Sequence, residues 1–224
     1  MALGASRLRR FAVAASAFML VTTVSCSSAV NQPAAPKSSE PPPRPELTQV
    51  TSSMFVDRSA VPNSAAMEYT PPDISSDMEG TSDPVDPPEC APIFWGPSPT
   101  EAGTASWSTT TSPDTSTTLK VFNLALLVSA ERPHFATMLG KCRTVKYQGL
   151  TSTVEPLPLS GLPSWSTPTR VFAPGADGAG IIGLCRGLYV SVAFTQKPGG
   201  DLSPNDTSAL VKLFNDQVAK LEVI

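Results

Sequence analysis

The stretch that decides the fold, residues 178–196, reads "GAGIIGLCRGLYVSVAFTQ". Two apolar runs flank the dipeptide Arg186-Gly187, and short apolar runs on either side of a glycine-containing turn are typical of a β-hairpin. From Leu188 to Phe194, large apolar residues occupy every second position, while the residues between them are mixed in character. Successive side chains of a strand point to opposite faces, so one face of this strand is expected to line the core.

The clearest helix signal follows directly, as "SPNDTSALVKLFNDQVAKLEVI" at residues 203–224. Ser203 is a suitable N-cap, Pro204 suits the first helical position, and Asp206 lies in the first turn. Apolar residues then recur with helical spacing at Leu210, Val211, Phe214, Val218 and Leu221. The pattern predicts a C-terminal helix that packs on a sheet.

Upstream segments add a second hairpin and three shorter strands. The runs at 104–111 and 116–130 are rich in Thr, Val and aromatic residues, and they are separated by "SPDT", in which Pro and Asp favour a type I turn. Residues 143–149, 153–159 and 169–175 are further β candidates, separated by Gly and Pro clusters.

Three more helices are predicted. A short first helix is expected at 46–56, and another, begun by two prolines, in "DPPECAPIFWG" at 86–96. The segment "ERPHFATMLGKC" is expected to be helical from about Pro133 to Gly140. Residues 57–89 are expected to form an irregular loop over the domain. Together the elements predict an α+β fold, a mostly antiparallel sheet with the helices packed on one face and a C-terminal helix.

The N-terminus has the layout of an export signal. Three arginines in "MALGASRLRR" precede an apolar run at 11–24, which is shorter than the roughly 20 apolar residues that span a bilayer. We therefore expect residues 1–25 to be a signal peptide that is removed. The pair Arg9-Arg10 faintly resembles a twin-arginine signal, so the export route stays open.

Cys26 follows the small Ser25 and resembles the lipobox cysteine of bacterial lipoproteins, which takes a diacylglycerol and becomes the new N-terminus. Residues 26–46 are rich in Pro, Ser and Ala and are expected to form an extended tether. The expected product is one domain, 47–224, lipid-anchored at the extracytoplasmic face of the cell membrane. Because Thr23 stands where that family most often has Leu, cleavage without lipidation and a soluble secreted protein remain alternatives.

The composition excludes several classes of function. The chain is 16% charged, its net charge is −3 and its aromatic fraction is 7%, so nothing indicates nucleic-acid binding. His134 is the single histidine and no C-x-x-C occurs, so neither a metal site nor a cofactor is expected. No G-x-S-x-G elbow occurs, and solvent is the default environment for Glu101, Glu131 and Glu155. No enzyme and no catalytic residues are therefore predicted.

Three tryptophans are the residues that best suit a ligand site. Aromatic walls with a few polar groups line small-ligand clefts, and Trp95, Trp107 and Trp165 could supply them. Packing in the core is the alternative for each tryptophan. The ligand-binding residues themselves are not specified by the sequence.

Four short motifs carry a resemblance to a known family. In order and spacing, "DPPECAP", "HFATMLGKCRTV", "RGLYVSVAF" and "LVKLFNDQVAKL" resemble the extracellular sensor domain of the mycobacterial serine/threonine kinase PknH and the sensor-like lipoproteins that share its fold. The resemblance covers residues 47–224. It implies an α+β fold in which helices back a sheet, a polar cleft for an unknown ligand, and two disulfides.

Besides Cys26 the chain has three cysteines, an odd number that suggests one disulfide and one free thiol in an oxidising compartment. By position, the resemblance places the first family disulfide on Cys90 and Cys142. The second does not carry over, because Cys185 lies near one expected partner and no fourth cysteine is present. On the residues alone, a bridge between Cys142 and Cys185 is one alternative, and the absence of any bridge is the other.

These observations predict a cell-envelope lipoprotein whose exported domain binds a small envelope ligand or a partner protein without catalysis. The anchor, the tether and the lack of a reactive set of side chains are the reasons. A structural or assembly role in the envelope is the first alternative, and a carboxylate-based envelope hydrolase is the second.

Overall fold

The computed structural model describes residues 44–76, 85–111, 117–147 and 149–224, with the exception of the side chain of Trp95. The predicted signal peptide, Cys26 and the tether up to residue 43 lie outside the described residues, as does the predicted "SPDT" turn. The described residues between 44 and 224 belong to one compact unit.

The described strands form a single antiparallel sheet. In chain order they are β1 (Glu68–Ser75), β2 (Val85–Asp86), β3 (Glu101–Thr111), β4 (Thr118–Val128), β5 (Thr144–Tyr147), β6 (Leu150–Pro156), β7 (Thr167–Ala173), β8 (Ala176–Cys185) and β9 (Leu188–Lys197). Their order across the sheet is β1-β3-β4-β9-β8-β7-β6-β5-β2. Both predicted hairpins, β3–β4 and β8–β9, and the three predicted short strands are confirmed.

Three helices accompany the sheet in the described residues: α1 (Ala91–Trp95), α2 (Phe135–Lys141) and α3 (Pro204–Val223). The start of α3 is as predicted, because the hydroxyl of Ser203 accepts a hydrogen bond from the backbone N–H of Asp206 at 3.1 Å. Helix α2 continues through Gly140 and ends one residue later, at Lys141, so its predicted stop is displaced by one residue.

Alternation along the strands sorts the side chains onto two faces of the sheet. On one face Leu124, Val192 and Ile181 form a cross-strand row, and α3 covers this face with buried residues such as Leu210 and Phe214. We call this the α3 face and the cluster beneath the helix the α3 core. It is the larger core, with 24 buried residues.

The opposite face carries a smaller core. Tyr189 lies on it and packs edge-on against Phe135 of α2, with ring centroids 6.1 Å apart. Val154 lies on the same face and packs with the two half-cystines and with Leu139 of α2 in a cluster of six buried residues, here called the disulfide core. The α+β class is confirmed, with one correction: α1 and α2 lie opposite α3, because these strands bury apolar side chains on both faces.

The two edges of the sheet are joined by a short stretch of chain. Strands β1 and β2 lie at opposite edges, yet Val85 comes only ten residues after Ser75. Ten residues reach at most about 36 Å, whereas eight inter-strand spacings in a flat sheet measure about 38 Å. A flat sheet would therefore hold these two residues slightly farther apart than this stretch can reach, so the sheet departs from a plane.

The predicted first helix at 46–56 is wrong. The segment is extended apart from a single 3-10 turn at Ser52–Met54. Two of its main-chain groups bond to the side chain of Gln217 in α3: the amide of Gln217 accepts from the N–H of Val56 at 3.0 Å and donates to the carbonyl of Met54 at 2.8 Å. The helically spaced apolar residues enter the α3 core from an extended chain.

The predicted irregular loop at 57–89 contains a strand. Strand β1 pairs with β3 and has a register shift between Thr70 and Asp73. Pro71 and Pro72 lie at this shift, and prolines are tolerated at bulges of edge strands because no ladder donor is needed there. These prolines concealed the strand in the sequence. The predicted short helix at its end is present as α1, preceded by a 3-10 turn.

Candidate ligand-binding groove beside the C-terminal helix

The loop between β6 and β7, residues 157–166, lies along α3. Asn215 of the helix donates through Nδ2 to the carbonyl of Gly161 at 2.8 Å. Further along the loop, the ring of Trp165 lies 5.8 Å from the ring of Phe214, centroid to centroid. Partly buried leucines hold the rest of the loop against the α3 core: Leu157, Leu159 and Leu162. The loop is thus fixed to the helix at successive points.

An open groove of about 330 Å³ separates the start of this loop from the N-terminal half of α3. Two hydroxyls of the helix wall donate to the carbonyl of Pro204, Thr207 at 3.0 Å and Ser208 at 2.7 Å. A hydroxyl that donates in this way keeps lone pairs with which to accept a bond from a ligand. The lining is Pro158, Leu159, Ser160, Thr207, Ser208, Val211 and Lys212.

The groove carries little net charge. Lys212 is the cation of its lining, and Asp216, one helical turn further on, forms an ion pair with it. The ammonium group also lies 3.4 Å from the carbonyl of Ala60. The remaining lining is hydroxyl or apolar. The groove therefore suits an uncharged ligand better than an anion.

Trp165, at the other end of the same loop, is exposed and lies outside the groove lining. Its relative exposure is 43%. The six-membered ring of the indole lies directly over Gly183, where any side-chain Cβ would overlap it. Its Nε1 has no hydrogen-bond partner in the part of the chain that the structure describes. Packing on Gly183 and Phe214 fixes the ring in place while leaving it accessible to a ligand.

The other two tryptophans do not contribute to the groove in the same way. Trp107 belongs to the α3 core, with a relative exposure of 0%. Its Nε1 donates to the carbonyl of Arg58 at 2.8 Å, and its ring lies 5.1 Å from that of Tyr69. The side chain of Trp95 lies outside the described atoms. For Trp107 the structure confirms the core alternative.

A charged cluster lies on the same sheet face as α3, on β7 and β8. The guanidinium of Arg170 pairs with Asp177 at 2.6 Å and approaches Asp201 at 3.8 Å. It also stacks on the ring of Phe172, 4.1 Å from the centroid. The hydrogen bond to Asp177 raises the pKa of Arg170 above its usual value. Since its donors are committed to carboxylates, this cluster is a structural ion pair.

The titratable residues singled out in the sequence lie away from the groove lining. Glu101 accepts from the backbone N–H of Val50 at 2.8 Å, and Glu131 accepts from that of Ser98 at 3.1 Å. His134 is exposed at the start of α2. In the described ranges no three His, Cys, Asp or Glu side chains are close enough to hold a metal ion. The two glutamates serve to hold main chain.

Cys90 and Cys142 are joined by a disulfide, with their Cα atoms 5.7 Å apart. This is the pair that the family resemblance implied, and it excludes the Cys142–Cys185 alternative. Cys185 is a buried free thiol. Burial, helped by a 3.5 Å contact with Glu222, raises the pKa of Cys185 to about 11, so the thiol is protonated and unreactive near neutral pH.

The sequence indicated Trp165, on the same loop as this site, but none of the residues that line the groove. Trp165 was singled out by residue type alone. Ser160, Thr207 and Ser208 were missed because about 47 residues separate the two walls of the groove, and nothing local marks them as neighbours. The alternation of Leu and Pro in "EPLPLSGLP" was the available signal, since it indicates an ordered loop with buried leucines.

No helix in the described ranges has the length and hydrophobicity needed to cross a bilayer. No family model matches the chain, and no curated protein matches it. Among solved structures, the chain is similar to the crystal structure of the extracellular domain of PknH from Mycobacterium tuberculosis, with a TM-score of 0.50 and 15% sequence identity. The match covers 81% of this chain and 99% of that chain. The chain therefore has the fold of that extracellular domain.

Proposed function

We propose that this protein is an extracytoplasmic recognition domain, anchored to the membrane through Cys26, which binds an extended envelope component in the groove beside α3 without chemically altering it. The shared fold with an extracellular domain supports the extracytoplasmic placement. The export signal and the lipobox-like Cys26 in the sequence support the anchor.

The openness of the groove is the observation that carries the proposal. Small-molecule sites bury about 70–90% of their ligand in a closed cleft. The groove beside α3 is open to solvent, and so is a second depression in the described residues, lined by Asp57, Arg58, Ser59, Ser64 and Ala65. A ligand here would be covered on one side. An elongated molecule that continues beyond the groove at both ends fits this geometry better than a compact metabolite.

The position of the tether agrees with such a role. Arg186, in the β8–β9 turn, donates to the carbonyls of Pro45 and Leu221, at 3.0 and 2.6 Å. The chain therefore joins the domain beside the end of α3, whereas the groove flanks the beginning of that helix. If residues 27–43 are extended as polyproline II, they reach roughly 50 Å. This distance would hold the groove clear of the lipid headgroups.

Site-specific photo-crosslinking tests the proposal. A photoreactive residue replaces Ser208 in the groove wall of the full-length chain, and the protein is irradiated in its own envelope. A matched variant carries the same residue at Asn123, which is exposed on the opposite face of the sheet. We expect a discrete adduct from position 208 and none from position 123. Equal labelling, or no adduct from position 208, would contradict binding in the groove.

Detergent partition of the same preparation tests the anchor separately. An acylated protein enters the detergent phase, and Cys26→Ala shifts it to the aqueous phase or leaves the signal peptide uncleaved. A structural or assembly role would give one stable protein adduct and no exchangeable ligand. Turnover of an envelope polymer by the purified protein would favour the hydrolase alternative.

A further inference from the structure

We infer that the groove beside α3 binds a neutral oligosaccharide or polysaccharide segment, with Trp165 as its stacking platform. This inference rests on the proposed function, because it names the class of ligand for the same groove.

The placement of Trp165 is the first step. An indole over a glycine is held rigidly, because Gly183 has no side chain to separate the ring from the strand. Phe214 supports the ring from the helix side. The ring remains 43% exposed. The face of an aromatic ring carries partial negative charge, and it attracts the C–H bonds of a sugar ring laid on it. A fixed and accessible indole therefore provides half of a sugar-binding site.

The groove supplies the other half. Ser160, Thr207 and Ser208 line it with hydroxyls, and the two on α3 already donate to the main chain, so they are oriented to accept. Sugar hydroxyls are donors as well as acceptors and pair with such groups. The apolar part of the lining, chiefly Leu159 and Val211, offers contact for the C–H surface of the sugar.

The groove and the indole are linked by one loop that lies along the helix. The loop meets α3 first at the groove, then at Asn215 through Gly161, and then at Phe214 through Trp165. From Ser208 to Phe214 the helix rises by about 9 Å, a distance that a short oligosaccharide covers. The inferred ligand would extend from the hydroxyls of the groove to the indole, which lies outside the groove lining.

Charge and surface composition favour a glycan over the other ligand classes. The ion pair of Lys212 with Asp216 leaves the groove near neutral, which disfavours an anionic polymer. A protein partner needs a contiguous apolar centre, with aromatic anchors surrounded by further apolar contacts. Around Trp165 the loop is hydroxyl-rich, with Ser160, Ser164 and Ser166. The groove lining includes none of the exposed large apolar residues of the described ranges, which are Leu150, Trp165, Leu184, Val223 and Ile224.

The test uses the full-length protein in detergent and a panel of neutral hexasaccharides of glucose, mannose, galactose, arabinose and N-acetylglucosamine. Binding is measured by calorimetry and by tryptophan fluorescence. At least one hexasaccharide is expected to bind and to change the emission, and Trp165→Ala is expected to weaken that binding about tenfold or more. Trp165→Phe should retain part of the affinity. Leu150→Ala removes a side chain of similar exposure from the start of β6, outside the groove lining, and should change nothing.

A further variant tests whether binding requires the indole to be held in its present position, and not only to be present. Gly183→Ala keeps Trp165 but removes its seat, so it should weaken binding nearly as much as Trp165→Ala, with circular dichroism confirming that the variant is folded. Wild-type affinity in Trp165→Ala would overturn the role of Trp165.

The crosslinking experiment at Ser208 separates the two levels of the proposal. If no hexasaccharide binds at millimolar concentration but position 208 captures a protein or a lipid, the glycan inference is overturned and recognition in the groove stands. If no hexasaccharide binds and position 208 captures nothing, the inference and the proposed function fail together. A carbohydrate adduct at position 208 supports both.

Discussion

The α3 core and the disulfide core are stabilised in different ways, the first by extensive burial and the second by a covalent link. The α3 core buries 24 residues between a 20-residue helix, the extended N-terminal segment and the centre of the sheet. The disulfide core buries six, and two of those are the half-cystines Cys90 and Cys142. A small cluster removes little apolar area from water, so a covalent link replaces part of the missing burial. The groove lies on the α3 face of the sheet, and the disulfide lies on the opposite face.

Removing the disulfide is expected to lower the free energy of unfolding more than any other change considered for the two cores. The bridge closes a loop with a sequence separation of 52 residues, and in the chain-entropy description such a loop contributes about 4 kcal/mol. The double variant Cys90→Ser, Cys142→Ser should lose about that much free energy of unfolding, measured by urea denaturation. Cys185→Ala, which removes the unbridged thiol, is the control and should lose far less. If both variants lost the same free energy of unfolding, the disulfide would contribute no more to stability than the side chain of Cys185.

Removing the side chain of Gln217 is the matching test on the α3 side. This amide is fully buried, with a relative exposure of 0%, and holds the main chain of Met54 and Val56. Gln217→Ala leaves a buried N–H and a buried carbonyl without partners, so it should cost about 2–4 kcal/mol. Asn215→Ala removes one exposed bond from the same helix and should cost less than about 1 kcal/mol. Thermal denaturation of both variants measures the difference.

Disturbing the contact between the N-terminal segment and the β8–β9 turn should lower the free energy of unfolding by a smaller amount. Gly187 has a φ of +87°, and a Cβ there would lie 2.9 Å from the carbonyl oxygen of Leu47. Gly187→Ala should cost about 1–2 kcal/mol, part of it backbone strain. Gly175 has a φ of +76° with nothing within 4 Å of its Cβ, so Gly175→Ala reports the strain alone. If the two variants unfold at the same denaturant concentration, the segment does not press on the turn.

The buried thiol of Cys185 should make the smallest contribution to stability, and it should resist chemical modification in the native protein. Burial raises the pKa of its thiol to about 11 from the ordinary 9.0. The unfolded chain therefore loses this proton first, and the stabilising contribution of the neutral thiol is lost as the pH rises from 9.0 towards 11. Near neutral pH, iodoacetamide should label Cys185 only in denaturant, as mass spectrometry would show. Rapid labelling of the native protein would place this thiol outside the α3 core.

The sequence predicted the elements whose signals are local. Alternation in β9 and the cap at Ser203 each lie within one short window, and both elements formed as expected. The helix predicted at 46–56 is absent because the conformation of this segment depends on Gln217, more than 160 residues away. Its apolar spacing suits a helix, but the buried amide of α3 binds it in an extended form. A local pattern cannot report such a partner.

The same reasoning explains how the site was only partly predictable. Trp165 is visible as a residue type, but the position of its ring depends on Gly183, which lies in strand β8. The disulfide became predictable through the family resemblance, since the residues alone left two pairings open. The placement of α1 and α2 opposite α3 follows from register, which a single sequence does not provide.

Native-state hydrogen exchange of the full-length protein, with the disulfide intact and after its reduction, shows whether burial holds the α3 core while the covalent link holds the disulfide core. We expect reduction to leave the amides of β9 and α3 protected and to expose those of β5 and α2 to exchange. Loss of protection in both regions together, or in neither, would contradict this expectation.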